Sequence, residues 1–395
     1  MTHFFSSLLA LWLIVSAGLA QEIVISFGGD VNFARSRETP DPVWVRKFGT
    51  LRIEETTAGL APYWDADLNI VNVETVVSDR NGASSATKAF VFRSHPESFR
   101  HLMELGVNGF ALANNHAYDH GFQGMADTLG FFAAEAARRE IAFAGIGAGD
   151  AAFAPSIVTL RGVRIAFASA SFGSGAFGPE YGPVGMAYLS VPSHYDRVLA
   201  GLREADADLR ILALHYGTEN MNALNPGQRA MFRRGLEEAG VNLVIGHHPH
   251  VVRGVEADPA AGQAVFYSMG NLLFVGGAEK DSAPLGMDYG LLGRAYFQKT
   301  AQGWRITALE AVPLKGVHFT PAPPPPERVA RTIDHLNRLS EASVGPGAAV
   351  RFTPVEGRGD RGAACYGSGW GPRAQALCCA FARGPNPSCD LPDPM

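Results

Sequence analysis

Gly109-Phe110-Ala111-Leu112-Ala113-Asn114-Asn115-His116-Ala117-Tyr118-Asp119-His120-Gly121 decides how this chain folds. The first five residues form an apolar run that reads as a buried strand. The run stops at a polar tip, where Asn114 to His120 offer two amides, two imidazoles and a carboxylate. Open α/β sheets place ligands in the crevice outside the carboxyl ends of their strands. A buried strand with this tip therefore predicts an α/β sheet with a site at its carboxyl edge.

The same pattern recurs along the chain. Residues 23–29 read as a buried strand ending at Asp30, and residues 68–73 as a strand ending at Glu74, with Asn72 just before it. Residues 210–214 end at His215, and 241–245 at Gly246-His247-His248-Pro249-His250. Residues 264–266 end at Tyr267-Ser268-Met269-Gly270-Asn271. Helical stretches alternate with these strands: 95–106, 122–140, 193–207 and 226–240, the last with Pro at its start and Gly at its end. Residues 156–170 read as a hairpin around Arg161-Gly162, and 172–185 as a long loop over the site. Strands follow at 291–298 and 304–314, so the sheet cannot be purely parallel. The alternation argues for a layered α/β domain.

At 395 residues the chain can bury a large core in one large or two ordinary domains. The expected organisation is a leader over 1–20, a main domain over 21–318, a Pro-rich linker and helix over 319–342, and a Gly/Pro/Cys-rich tail over 343–395. A net charge of -5 and a pI near 6.2 give no reason to expect nucleic acid or an anionic membrane as partner. Phe4 to Ser16 is almost unbroken apolar sequence, too short to span a membrane comfortably. Gly18-Leu19-Ala20 after it fits a small-x-small cleavage site, so a signal peptide is expected, with an uncleaved anchor as the alternative. Either places the protein in the periplasm or outside the cell. No second stretch approaches spanning length.

All four cysteines, Cys365, Cys378, Cys379 and Cys389, crowd the C-terminus. In an exported protein they read as disulfide staples. A vicinal 378–379 bond is strained, which leaves 365–378 with 379–389, or 365–379 with 378–389. A metal site is the rival reading, and the spacing matches no standard zinc motif.

Six strand ends thus carry Asp30, Asn72 with Glu74, Asn115 with His116, His215, His248 with His250, and Ser268 with Asn271. Carboxylate, amide oxygen and imidazole are the donors of borderline divalent metals. In extended backbone, His248 and His250 face one side and can reach one metal. His247 then faces away.

The set Gly29-Asp30-Val31, Asn72-Val73-Glu74, Ala113-Asn114-Asn115-His116-Ala117-x-Asp119-x-Gly121, His215-Tyr216-Gly217-x-Glu219, Gly246-His247-His248-Pro249-His250-Val251 and Tyr267-Ser268-Met269-Gly270-Asn271 closely resembles the CapA family. That family comprises capsule-synthesis and poly-γ-glutamate biosynthesis proteins, CapA and PgsA. The resemblance runs in order from about residue 23 to 275, and the Cys-rich tail lies outside it. CapA proteins are similar to calcineurin-like metallophosphoesterases, which implies a layered α/β/β/α sandwich. It also implies one or two divalent ions (Mn, Zn or Fe) held by Asp30, Glu74, Asn115, His215, His248 and His250. His116 matches the catalytic imidazole of those enzymes. Asn32 stands where they carry a histidine ligand, and Glu74 stands near their bridging aspartate, so one tightly held metal with a weaker second is as consistent as a full dinuclear centre.

The chemistry follows from such ions, which lower the pKa of a bound water and polarise the group attacked. His116 is suited to protonating a leaving group. Asp119 either orients that imidazole or caps helix 122–140. Glu219 is a supporting or substrate-side acid, and Ser268 and Asn271 fix their loop. Arg35, Arg37, Arg93 and Arg253 are candidate phosphate contacts, with Arg93 and Arg253 the best placed. The expected function is an exported hydrolase in capsule or poly-γ-glutamate-type polymer production. Its partners would be an anionic polymer and a synthase or export complex carried by other chains. A metal-dependent phosphoesterase or amide hydrolase without a capsule role, and a non-catalytic scaffold, are the alternatives.

Overall fold

The computed structural model describes residues 21–33, 45–46, 50–80, 88, 90–173, 175–275, 289–355, 357–381 and 389. The expected leader, Arg35 and Arg37 lie outside the described residues. Among the described residues no helix is long and apolar enough to cross a membrane.

The chain opens with β1 (Glu22–Asn32), the centre of the first sheet. Strands β2 (Leu68–Val73), β3 (Gly109–Ala111) and β4 (Ala142–Ala144) extend it in parallel on one side. The hairpin β5 (Ser156–Leu160) and β6 (Val163–Ser171) begins the second sheet. Its turn places Arg161 and Gly162 at φ 50° and 76°, the left-handed pair that a two-residue hairpin needs. Strands β7 (Leu209–His215) and β8 (Leu243–His247) continue that sheet in parallel. Strand β9 (Val255–Asp258) runs antiparallel at its edge, against β10 (Gln263–Phe266), which is parallel to β8. The chain then returns to the first sheet. Strand β11 (Asn271–Phe274) pairs with the end of β1, and the long hairpin β12 (Tyr289–Thr300) and β13 (Gly303–Lys315) pairs antiparallel with its start.

The two sheets face each other, and side-chain alternation explains the layers. Ile70 and Ile211 join the apolar layer between the sheets, with Ile25, Phe27, Ile165, Ile245 and Phe266. Their neighbours Val71 and Leu212 point the other way. Val71 packs under Phe99, Leu102 and Phe132 of α1 (Pro96–Glu104) and α2 (Gly121–Ala136). Leu212 packs under Leu199, Leu202 and Phe232 of α3 (Pro192–Glu204) and α4 (Gln228–Ala239). The result is the expected α/β/β/α sandwich. Val329, Ile333 and Leu336 of α5 (Pro326–Val344) join the inner layer as well.

The Gly/Pro/Cys-rich residues 343–395 include elements of the main fold. Within them β14 (Thr353–Val355) and β15 (Arg358–Cys365) add to the first sheet beside β13. Cys365 bonds Cys378 and Cys379 bonds Cys389, which selects the first of the two pairings left open. The segment is also tied to the chain start, since Glu22 accepts from the backbone N–H groups of Arg373 and Ala374.

One irregularity positions the site. Phe27 pairs with Ile70, and Asp30 with Asn72, so three steps of β1 match two of β2. The extra residue is a β-bulge at Gly28-Gly29, and it moves Asp30 onto the inward face of Ile25 and Phe27. A Cβ on Gly29 would lie 1.9 Å from the Gly270 carbonyl oxygen, so only glycine lets the end of β1 approach that loop.

Candidate metal centre

The inward faces of both sheets end in polar side chains. Asn72 and Glu74 follow Ile70 on the inward face of β2. His215 follows Ala213 on β7, and His247 follows Ile245 on β8. With the bulge-shifted Asp30 they close a pocket at the carboxyl ends of the strands, where Asp30, Asn72 and Glu74 are fully buried.

The contacts are short. Asn72 Nδ2 donates to Asp30 Oδ1 at 2.8 Å and lies 3.3 Å from His215 Nδ1. His215 Nε2 is 2.7 Å from Asn115 Oδ1 and 3.4 Å from Glu74 Oε1. His250 Nδ1 is 3.4 Å from Asp30 Oδ2 and 2.8 Å from Asn271 Oδ1, and its Nε2 is 3.7 Å from Glu74 Oε1. Two groups can hold a cation: Glu74, His215 and His248, and Asp30, Glu74 and His250. Within each, the donor atoms lie within 4.8 Å of one another. Glu74 belongs to both, and the Asn115 amide oxygen adjoins the first.

The residues fit a cation. Both carboxylate oxygens of Glu74 are buried without a hydrogen-bond partner. Burial, and then the charge of Asp30, push the Glu74 carboxyl well above its ordinary range. A carboxylate left this way costs stability unless a positive charge meets it. Burial also acts to raise Asp30, but the hydrogen bonds and charges of His247 and His250 outweigh it and hold that carboxyl well below its ordinary range. Burial lowers His215, and neighbouring His248 adds to this. Burial, and then His250, bring His248 down to about 4. His250 is raised, because Asp30 overcomes the effect of burial. Neutral imidazoles beside carboxylates are the state that binds metal.

The His-Pro-His segment differs from the extended geometry expected. Strand β8 ends at His247, and His248 and His250 take left-handed φ values of 93° and 55°. This tight turn, rather than alternation, brings both rings inward, one into each group. His247 does not face away, since its Nδ1 lies 3.4 Å from Asp30 Oδ1. The physical reason is parity: His247 shares the inward face of Leu243 and Ile245. Asn32 Oδ1 accepts from the Ser94 hydroxyl at 3.5 Å.

His116 stands beside the two groups. Its Nδ1 is 2.8 Å from Asp119 Oδ2, and its ring lies 4.1 Å from that of Phe92. Asp119 thus faces His116, and the residue at the N-cap of α2 is His120. Burial lowers the His116 pKa, with Asp119 opposing. Asn114 ties the turn to β2 by donating to Val73 O at 2.7 Å and accepting from the His116 amide at 3.0 Å. Exposed Glu219 acts by charge on both Glu74 and His248. Ser268 Oγ accepts from Gly270 N at 3.3 Å.

The two arginines have other work. Arg253 is fully buried and gives its donors to Thr218 O, Met221 O, Asn225 Oδ1 and Gln228 Oε1. It holds the 218–228 loop, and burial brings its pKa down to about 10. Buried Arg93 donates to Arg80 O. Neither belongs to the carboxylate–imidazole groups. The residue missed in sequence is Lys88, whose Nζ pairs with Asp119 Oδ1 and donates to Asn115 O at 2.7 Å. A lone lysine in a loop carries no sequence signal of such a place.

Fold and donor set together define a class: a two-sheet α/β sandwich with a carboxylate–imidazole centre at its strand ends. The description Bacterial capsule synthesis protein PGA_cap matches residues 24–275, and the chain belongs to that family. It is 31% identical over 257 residues to the PGA biosynthesis protein CapA of Bacillus subtilis, covering 64% of this chain and 62% of that protein. It is 30% identical over 222 residues to the capsule biosynthesis protein CapA of Bacillus anthracis, covering 53% and 50%. The match thus spans three-fifths of the first relative's length and half of the second's. Among solved structures, calcineurin-like phosphoesterase YfkN from Bacillus subtilis is similar with a TM-score of 0.40 and 10% identity, over 80% of this chain and 98% of that one. A Mycoplasma pneumoniae phosphatase is similar with a TM-score of 0.43 and 15% identity, over 75% and 94%.

Proposed function

We propose that the chain is an exported, metal-dependent hydrolase of the phosphoesterase kind that works in the production of a capsule or poly-γ-glutamate-type polymer. Glu74 carries the hydrolase reading: a fully buried carboxylate with no hydrogen-bond partner, shared by two groups that can each hold a cation. The family and the names of the relatives supply the polymer, and residues 4–20 supply export. An anionic polymer and a synthase or export complex are the partners this implies.

One or two divalent ions, Mn, Zn or Fe, would be held by Glu74, Asn115, His215 and His248 and by Asp30, Glu74 and His250. Bound there, they supply Lewis acidity and water activation near neutral pH. The chain's own acid is His116. Asp119 accepts from its Nδ1, so the acid is the imidazolium form, in which Nε2 also carries a proton and hands it to a departing oxygen. A water oxygen bonds to phosphorus, the ester P–O bond breaks, and the proton from His116 turns the departing oxyanion into an alcohol. One water proton returns to His116 and the other leaves with the phosphate or to solvent.

Glu219 favours a second reading. An exposed carboxylate acting on the centre repels a phosphate and suits a neutral amide bond, hydrolysed by the same ions and the same acid.

The test is elemental analysis after loading the purified protein with Mn, Zn or Fe, with turnover of bis(p-nitrophenyl) phosphate and of a γ-glutamyl amide. Bound metal, and loss of turnover in His116→Ala with metal retained, support the proposal. No metal after careful loading overturns it.

A further inference from the structure

Lys88 reaches the centre from a separate loop and touches three parts of one turn. Its ammonium forms an ion pair with Asp119 Oδ1, bonds Asn115 O at 2.7 Å, and lies 3.4 Å from His116 Nδ1. It also lies over the Tyr118 ring, 5.1 Å from the centroid. Four of the five positions from Asn115 to Asp119, a candidate ligand and the candidate acid among them, are thus gathered under one cation.

Asp119 shows why this matters. Its carboxylate is fully buried. Oδ2 accepts from Phe92 N at 2.5 Å and faces His116 Nδ1 at 2.8 Å, while Oδ1 faces Lys88. A buried carboxylate needs both hydrogen bonds and a counter-charge. Lys88 supplies the charge on the oxygen that His116 does not use. It therefore keeps Asp119 acceptor-only, and an acceptor there requires Nδ1 to be the donor. The bond to Asn115 O fixes the backbone on which the His116 ring is mounted. Phe92, four residues along the same segment, packs on that ring, so one loop holds the imidazole from two sides.

We propose that Lys88 is a positioning residue for His116: its contacts with Asp119 and Asn115 O hold Nδ1 against Asp119 and present Nε2 to the leaving group. The proposal rests on the hydrolase reading for its consequence, but the positioning itself can be observed without turnover.

The first arm is NMR on zinc-loaded full-length protein labelled with 15N-histidine. The Nδ1–H signal of His116 is assigned by its loss in His116→Gln. In Lys88→Met it should shift or vanish by exchange, and in Lys88→Arg it should remain. An unchanged signal in Lys88→Met overturns the proposal. Should Lys88→Met fail to fold, Lys88→Gln keeps a polar side chain without the charge and leaves Asp119 in place; its Nδ1–H signal should also shift or vanish, and an unchanged signal overturns the proposal.

The second arm compares diphenyl phosphate, which has the poorer leaving group, with bis(p-nitrophenyl) phosphate. General acids contribute on the order of 100-fold or more, chiefly where the leaving group is poor. Lys88→Met should lower kcat about tenfold or more on the first ester and less than about threefold on the second, with metal content unchanged. Equal loss on both overturns the proposal. Absence of turnover in the unaltered protein counts against the hydrolase reading, and the NMR arm then decides the positioning on its own.

Discussion

Replacing Glu74 by Gln tests the centre most directly. Glu74 is the residue common to both groups, so Glu74→Gln takes one donor from each. Asp30→Asn or His248→Ala takes a donor from one group alone. The size of the effect can be worked out. Unfolding entropy of about 2.1 cal/mol/K per residue gives roughly 0.8 kcal/mol/K for 395 residues, so 1 kcal/mol moves Tm by about 1.2 °C. An ion at 100 times its Kd stabilises by about 2.7 kcal/mol, or about 3 °C, and two such ions by about 6–7 °C. Glu74→Gln should lose most of that rise and bind little metal. The metal-free variant should melt no lower than the unaltered protein, because the carboxylate it lacks has no hydrogen-bond partner and lies close to Asp30. Differential scanning calorimetry with EDTA, then with Mn or Zn, together with elemental analysis, reads both halves. Two equivalents of metal with the full rise in Glu74→Gln would refute the shared-ligand reasoning. A metal-free variant several degrees less stable would refute the claim that the protein leaves Glu74 unsatisfied.

Three other outcomes are expected. Glu74 and His250 are raised, so near neutral pH an ion must displace protons from them, whereas His215 and His248 are already lowered. Metal affinity should therefore rise with pH, with about one proton released per ion, as read by calorimetry in buffers of different ionisation enthalpy; pH-independent binding would contradict it. Arg253→Met removes four hydrogen bonds, one of them to buried Gln228 Oε1, and should cost about 2–4 kcal/mol, lowering Tm by roughly 2–5 °C at unchanged metal content; a raised KM with unchanged Tm would instead mark Arg253 as a substrate contact. Removing the Cys365–Cys378 bond, which closes a sequence separation of 13, should cost about 3 kcal/mol and lower Tm by about 3–4 °C in either thermal or chemical melts. A Tm unmoved by Cys365→Ser/Cys378→Ser would show that pairing of β15 with β13 already holds that segment.

How far the sequence reaches into this molecule depends on which rule a residue obeys. The layers were legible because Ile70, Val71, Ile211 and Leu212 obey period-two alternation, and because strands buried on both faces read as continuous apolar runs. The disulfide pairing was not, since both candidate sets close loops of similar length. Strands β14 and β15 escaped because Arg358-Gly359-Asp360-Arg361 has little strand propensity, and an existing edge at β13 imposes the conformation. Arg253 looked like a phosphate contact because sequence shows a charge and not its partners.

The site residues divide along the same line. Asn72, His215 and His247 are aimed by simple parity from the apolar residues two places before them, and Glu74 by the same parity from Asn72. Asp30, His248 and His250 are aimed by exceptions: a bulge at Gly28-Gly29 and two left-handed histidines. Regular continuation of β1 would turn Asp30 toward the helices, and regular continuation of β8 would turn His248 away from Glu74. Local rules tend to fail at functional sites, where strain is retained because the arrangement it produces is used. In this chain the failures bring donors from both sheets to one buried carboxylate. That convergence, more than the presence of histidines in the sequence, is the argument for a metal centre.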